Sequence, residues 1–184
     1  VRHAILRARG IHAGAPLAKS IIRDVAVLSP GTQFPRVSLL DESGAPSAAA
    51  DGETLYAVFK TTCPVCELTW PFLERIRQVA EGGKLRVLAV SQDNAAKTRA
   101  FNERTGARLD TRYDPEPWKA SDALGMTTVP TLFRVSPDGT IAETVEGFDR
   151  KALEGLARRA ASLAGKPPSE LFRPGDNAPA FKPG

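Results

Sequence analysis

Apolar and polar positions alternate along the chain in two periods. Thr54-Leu55-Tyr56-Ala57-Val58-Phe59 is a short run of β-formers, suited to a strand buried on both faces. Beyond it Val65, Leu68, Phe72, Ile76 and Val79 recur at three- and four-residue steps. That is the stripe of an amphipathic helix, and it ends at Gly82-Gly83. Pro64 suits the first helical turn, where its missing N–H costs nothing. Pro71 falls inside the stripe and predicts a kink. Lys84 to Ser91 reads as a second buried strand. Asp93 to Arg104 reads as a helix with Asp93 as its cap and Gly106 just past its end. A short strand over 108–113 follows, then a helix from near Pro117 to Gly125. Thr131–Val135, the turn Pro137-Asp138-Gly139 and Thr140–Val145 make a hairpin, and a last helix spans Asp149 to Leu163. This order predicts an α/β fold, a mixed sheet flanked by helices with an antiparallel end.

With 184 residues, 42% hydrophobic and 25% charged, the chain has an ordinary globular composition. A domain of this size buries roughly 70% of the surface of its unfolded chain and folds without disulfide staples. Three parts are expected: a basic extension over 1–29, a globular domain over 30–164 and a Pro/Gly-rich tail over 165–184. The net charge of +4 belongs to the extension, where Arg2, Arg7, Arg9, Lys19 and Arg23 face only Asp24. The remainder balances, and no basic stripe interleaved with aromatics follows, which argues against a nucleic-acid partner. No apolar stretch approaches the ~20 residues of a membrane span. Within the extension, Arg7 interrupts Ala4-Ile5-Leu6 and Arg23-Asp24 interrupts Ile21-Ile22, so no secretory signal is read there. Cytoplasmic and extracytoplasmic locations both stay open.

Cys63 and Cys66 are the only cysteines, spaced Cys-Pro-Val-Cys. A zinc site would need two more ligands, and the only histidines, His3 and His12, lie in the extension. A structural disulfide would close so short a loop that it contributes only roughly 2 kcal/mol. A redox pair is the leading reading, because strand, turn and helix surround it. Cys63 falls at the N-terminus of the helix, where the free N–H groups of Val65 and Cys66 and the positive end of the helix dipole favour negative charge on sulfur. Cys66, one turn in, is expected to be more buried and to resolve the mixed disulfide. Further on, Thr128-Val129-Pro130-Thr131 places a proline at the start of a strand, compatible with a cis bond in a tight bend or a trans proline in a loop.

Phe59-Lys60-Thr61-Thr62-Cys63-Pro64-Val65-Cys66, with Pro71 five residues later and Val129-Pro130-Thr131 before the hairpin, resembles the thioredoxin superfamily. Within it the chain is similar to the TlpA-like (ResA-type) thiol–disulfide oxidoreductases. Three features carry that likeness: the segment from Pro30-Gly31-Thr32-Gln33-Phe34-Pro35 to Ser43-Gly44, an inserted strand–helix unit after Ser91-Gln92-Asp93, and Ser136-Pro137-Asp138-Gly139 in the last hairpin. The resemblance covers about residues 30–164. It implies a thioredoxin-like sheet of four or five strands, Cys63 as nucleophile and Cys66 as resolving thiol. It implies that Pro130 is cis beside Cys63 and that the Val129 backbone pairs with the substrate chain. Thr62 and Pro64 would then belong to the substrate surface. Neither cofactor nor metal is implied. The implied partners are protein or small-molecule disulfides and dithiols, together with a redox partner that donates or accepts electrons.

The departures from the family pattern concern proton transfer. Ala57 stands where thioredoxins have a buried acid, and Thr69 stands where the ResA type often has glutamate. Thr62 replaces a frequent tryptophan. The tail segment from Arg173 to Phe181 looks like the start of another redoxin domain, although an arm folding back on the body is the simpler expectation. Two rival functions remain. A peroxiredoxin-like peroxidase resembles a Pro, three residues, Thr, two residues, Cys arrangement, but Tyr56 and Lys60 occupy those positions here. A non-catalytic binding module would use the fold alone.

Overall fold

The structure, a computed structural model, describes residues 26–46 and 52–184. Nearly all of the basic extension, with His3 and His12, lies outside these residues. Strand β1 (Glu53–Phe59) is buried at every position. It therefore sends Leu55, Ala57 and Phe59 to one face of the sheet and Tyr56 and Val58 to the other. Helix α1 (Pro64–Ala80) follows, then β2 (Leu85–Ser91), α2 (Ala95–Thr105), β3 (Asp110–Tyr113) and α3 (Lys119–Ala123). The hairpin is β4 (Thr131–Val135) and β5 (Ile141–Glu146). Strand β6 (Phe148–Asp149), α4 (Arg150–Leu163) and β7 (Phe181–Lys182) complete the order.

Five strands form one sheet in the order β3-β2-β1-β4-β5. β1, β2 and β3 run parallel, and β4 and β5 are antiparallel additions. On one face Phe59 packs with Trp70 of α1 and Phe101 of α2, ring centroids 4.1 and 5.1 Å away. Leu153 and Leu156 of α4 join that layer. Burying each such side chain contributes about 1.5–3 kcal/mol. On the other face, Phe34 stacks on Tyr56 at 4.6 Å, and Leu39, Ala120 and Leu124 pack with Val58, Val90 and Phe133. The early segment from Pro30 thus covers the second face, and Leu40 exchanges backbone hydrogen bonds with Tyr113 at the sheet edge.

The predicted elements all form, with differences in detail. α1 is one continuous helix through Pro71. Asp93 does not cap α2: Asn94 does, its side-chain oxygen accepting from Lys97 N at 3.0 Å. Asp93 is drawn away because its carboxylate binds the turn before Cys63. The short strand starts at Asp110, two residues later than expected. The pairing of β7 with β6 was not foreseen at all. The tail folds back on the body: Leu171 and Phe172 are buried, Phe172 lies 4.5 Å from the Phe72 ring, and Arg75 holds Asp176 through two hydrogen bonds of 2.6 and 2.9 Å.

Candidate active site

The C-terminal ends of β1 and β2 lie side by side, and Gln92 N donates to Phe59 O at 3.0 Å. From there the chain turns through Lys60, Thr61 and Thr62 into α1. One oxygen of Asp93 shapes this turn, accepting from Thr61 N at 2.8 Å and Thr61 Oγ1 at 2.9 Å. Asp93 is in turn placed by Ser91, whose Oγ accepts from Asp93 N at 3.1 Å. Two successive strand ends are tied together just before the first cysteine.

Cys63 is the N-cap of α1, in extended conformation with φ −87° and ψ 116°. Its sulfur accepts from Cys66 N at 3.2 Å, satisfying one of the free donors of the first turn. The thiol donates to Val129 O, also at 3.2 Å. Pro64 occupies the first helical turn. Cys63 is partly exposed and Cys66 is fully buried. Burial pushes the Cys66 thiol well up, and its contact with Cys63 adds to the rise. The outer sulfur is thus reachable, and burial favours the protonated form of the inner one.

The Val129-Pro130 peptide bond is cis. Pro130 is buried, Val129 is half-buried, and Thr62 and Pro64 are exposed beside Cys63. The structure therefore brings Cys63, Cys66 and Val129-Pro130 together, with Thr62 and Pro64 on the rim. The two positions themselves carry no base: Ala57 is fully buried, and Thr69 Oγ1 donates back to Val65 O at 2.7 Å. Glu67 is exposed and points to α2, where Arg104 Nε meets it at 2.9 Å.

Sequence reasoning missed the wall beside the turn. The Glu116-Pro117 bond is also cis, and Trp118 has a left-handed φ of 55°. Its indole N–H donates to Gln92 O at 3.3 Å, and Lys60 Nζ sits 4.0 Å from the ring centroid. A tryptophan directly after two closely spaced prolines, Pro115-Glu116-Pro117-Trp118, was the available signal. Among the described residues no cluster of three or more His, Cys, Asp or Glu side chains could hold a metal ion.

The sequence profile of the AhpC/TSA family matches residues 30–144, from the segment that covers the sheet to the last strand of the hairpin. The chain belongs to the AhpC/TSA family. No curated protein matches this family member by sequence. Its fold is similar to that of a protein from Chlorobium tepidum assigned as the thiol:disulfide interchange protein DsbE, at 19% identity and a TM-score of 0.64 over 75% of this chain and 99% of that one. The thioredoxin domain of a thiol-disulfide oxidoreductase from Bacteroides vulgatus gives 15% and 0.62, over 72% and 97%. StoA from Bacillus subtilis gives 16% and 0.54, over 66% and 93%. Within the AhpC/TSA family the chain thus has a thioredoxin-like architecture.

Proposed function

We propose that the protein is a thiol–disulfide oxidoreductase in which Cys63 attacks and Cys66 resolves. The observation that supports this most is the position of one sulfur. Cys63 Sγ stands at a helix N-terminus, within hydrogen-bond reach of Val129 O beside Pro130, with a buried second thiol one turn behind it. In the reductive direction the Cys63 thiolate attacks a substrate disulfide. A bond forms between Sγ and one substrate sulfur, and the other leaves as a thiolate that takes up a proton. Cys66 then loses its proton and attacks Cys63 Sγ, releasing the second substrate sulfur and leaving a Cys63–Cys66 disulfide. Two electrons have passed to the substrate, and a dithiol partner restores them. The oxidative direction runs the same steps backward.

On this reading Val129 O is freed when Cys63 loses its proton, and so can accept an N–H from an extended substrate. Thr62, Pro64, Val129 and Pro130 form the substrate surface. The working redox unit is the domain over 30–164, with 1–29 and 165–184 as appendages. Family membership also raises the peroxidase reading. Against it, Tyr56 stacks with Phe34 on the far side of the sheet and Lys60 lies over Trp118, so neither offers the hydroxyl that such a site places beside sulfur.

Mass spectrometry with a disulfide-containing peptide tests the assignment. Cys66→Ser accumulates a covalent adduct that dissolves on adding reductant, and Cys63→Ser forms none. Adducts forming equally on both variants would refute the roles. Adducts on neither, with no turnover by the parent protein, would favour a binding module, and consumption of hydrogen peroxide faster than disulfide would favour the peroxidase.

A further inference from the structure

Residues at the end of the tail lie on the carbonyl that a substrate strand would need. β7 pairs antiparallel with β6, Asp149 opposite Phe181 and Phe148 opposite Lys182, and Arg150 N donates to Ala180 O at 3.0 Å. The ladder carries the chain past Gly147, where a Cβ would stand 2.5 Å from Lys182 O and 2.9 Å from Gly184 N. Two residues beyond the ladder, Gly184 sits against the loop before Pro130. A Cβ on Gly184 would collide with Thr128 Oγ1 and stand 2.6 Å from Val129 O. Val129 O is also the acceptor of the Cys63 thiol. Tail backbone and nucleophile therefore converge on one carbonyl.

Two further observations make this contact replaceable. Thr128 Oγ1 is buried there without a hydrogen-bond partner, a cost that an incoming strand able to bond the hydroxyl would remove. The strong anchors of the tail, Phe172 and Asp176, lie well before the ladder. Residues 180–184 are held mainly by the short pairing with β6, and the Phe181 side chain is 57% exposed. Such a segment opens locally without undocking the rest.

We propose that residues 180–184 are a tethered pseudo-substrate, an extended strand laid on Val129 that must leave before a disulfide-bearing polypeptide can pair there. The occupant also defines the substrate class: an extended protein segment with glycine or another small residue facing Val129 O. This rests on the oxidoreductase reading above. Because the competitor is part of the same chain, its effective concentration is high and a weak contact suffices to regulate access.

Two variants displace the strand from different ends. Gly184→Val places a side chain where Thr128 and Val129 leave no space. Lys182→Pro removes a backbone donor from the ladder. Iodoacetamide alkylation at fixed pH reads the exposure of Cys63, since Cys66 is buried, and reduction of a disulfide-linked peptide reads exchange. Both variants should raise both rates roughly three- to tenfold, the effect of losing one or two net hydrogen bonds. Rates equal to the parent's in both variants, with the amides of Phe148 and Arg150 deprotected in hydrogen exchange, would overturn the proposal. Faster alkylation with no exchange by any of the three proteins would keep the strap and overturn the oxidoreductase reading instead.

Discussion

Asp93 sits next to the helix it was expected to cap and instead holds the turn that delivers Cys63. Its Oδ2 accepts from both the amide and the hydroxyl of Thr61, and its side chain is only 15% exposed. Removing the carboxylate leaves two donors near the surface without their acceptor. Asp93→Ala should therefore cost about 1–3 kcal/mol of stability in urea unfolding. It should also slow adduct formation at Cys63 several-fold, because the turn no longer holds the sulfur toward Val129 O. Asp93→Asn, which keeps an acceptor oxygen, should recover most of both. A variant that loses stability but forms adducts at the parental rate would show that the turn is structural only. The acid at 93 is visible in the sequence, but its partner lies thirty-two residues upstream, beyond any local pattern. A capping rule therefore assigned it to the nearer helix.

Among the elements, α1 and the tail are joined by both aromatic and ionic contacts. α1 packs Phe72 against Phe148, and Phe172 covers Phe72 while also meeting Phe148. Arg75, one turn along, binds Asp176 and also Leu171 O at 2.9 Å. Phe172→Ala should destabilise by about 2–3 kcal/mol, below or at the low end of the range for a buried Phe because the site is near the surface. Limited proteolysis should then cut within 165–180 before the domain unfolds. If Phe172→Ala leaves the tail as resistant as the parent's, the polar contacts alone hold it. The sequence indicated a proline- and glycine-rich arm, and the apolar pair Leu171-Phe172 within it was the sign of a docking site. Which helix they meet depends on α1 and α4 already being packed.

For the molecule as a whole, several carboxylates are more acidic than usual. Arg159 and Arg134 hold Glu53 low against its burial. Burial raises Glu74, but Arg77, the Arg108 N–H and Gln78 outweigh it and hold its carboxyl low. Arg75 and the Arg173 N–H bring Asp176 down to about 2. A depressed carboxylate binds fewer protons folded than unfolded, so its contribution is complete above the ordinary value of about 4 and is lost as pH falls toward the folded one. The urea midpoint should thus be steady from neutrality to about pH 4 and fall below it, with a shallower fall in Glu53→Gln. A midpoint insensitive to acid would show that these pairs do not contribute to stability. Glu53 joins β1 to β4 and α4 through Arg134 and Arg159, a link between distant segments that periodicity does not reveal. The sequence by itself determined the main elements and the close cysteine pair. Apolar spacing sets which face a strand or helix buries, and Cys-Pro-Val-Cys lies within a single turn, where local geometry is enough. The family resemblance placed Val129-Pro130 beside Cys63, and tertiary structure alone decided what else surrounds the turn: the Asp93 brace on Thr61, the Trp118 ring beside Lys60, and the tail backbone against Val129 O. Those contacts join residues tens of positions apart, and only the closing of the sheet brings them together.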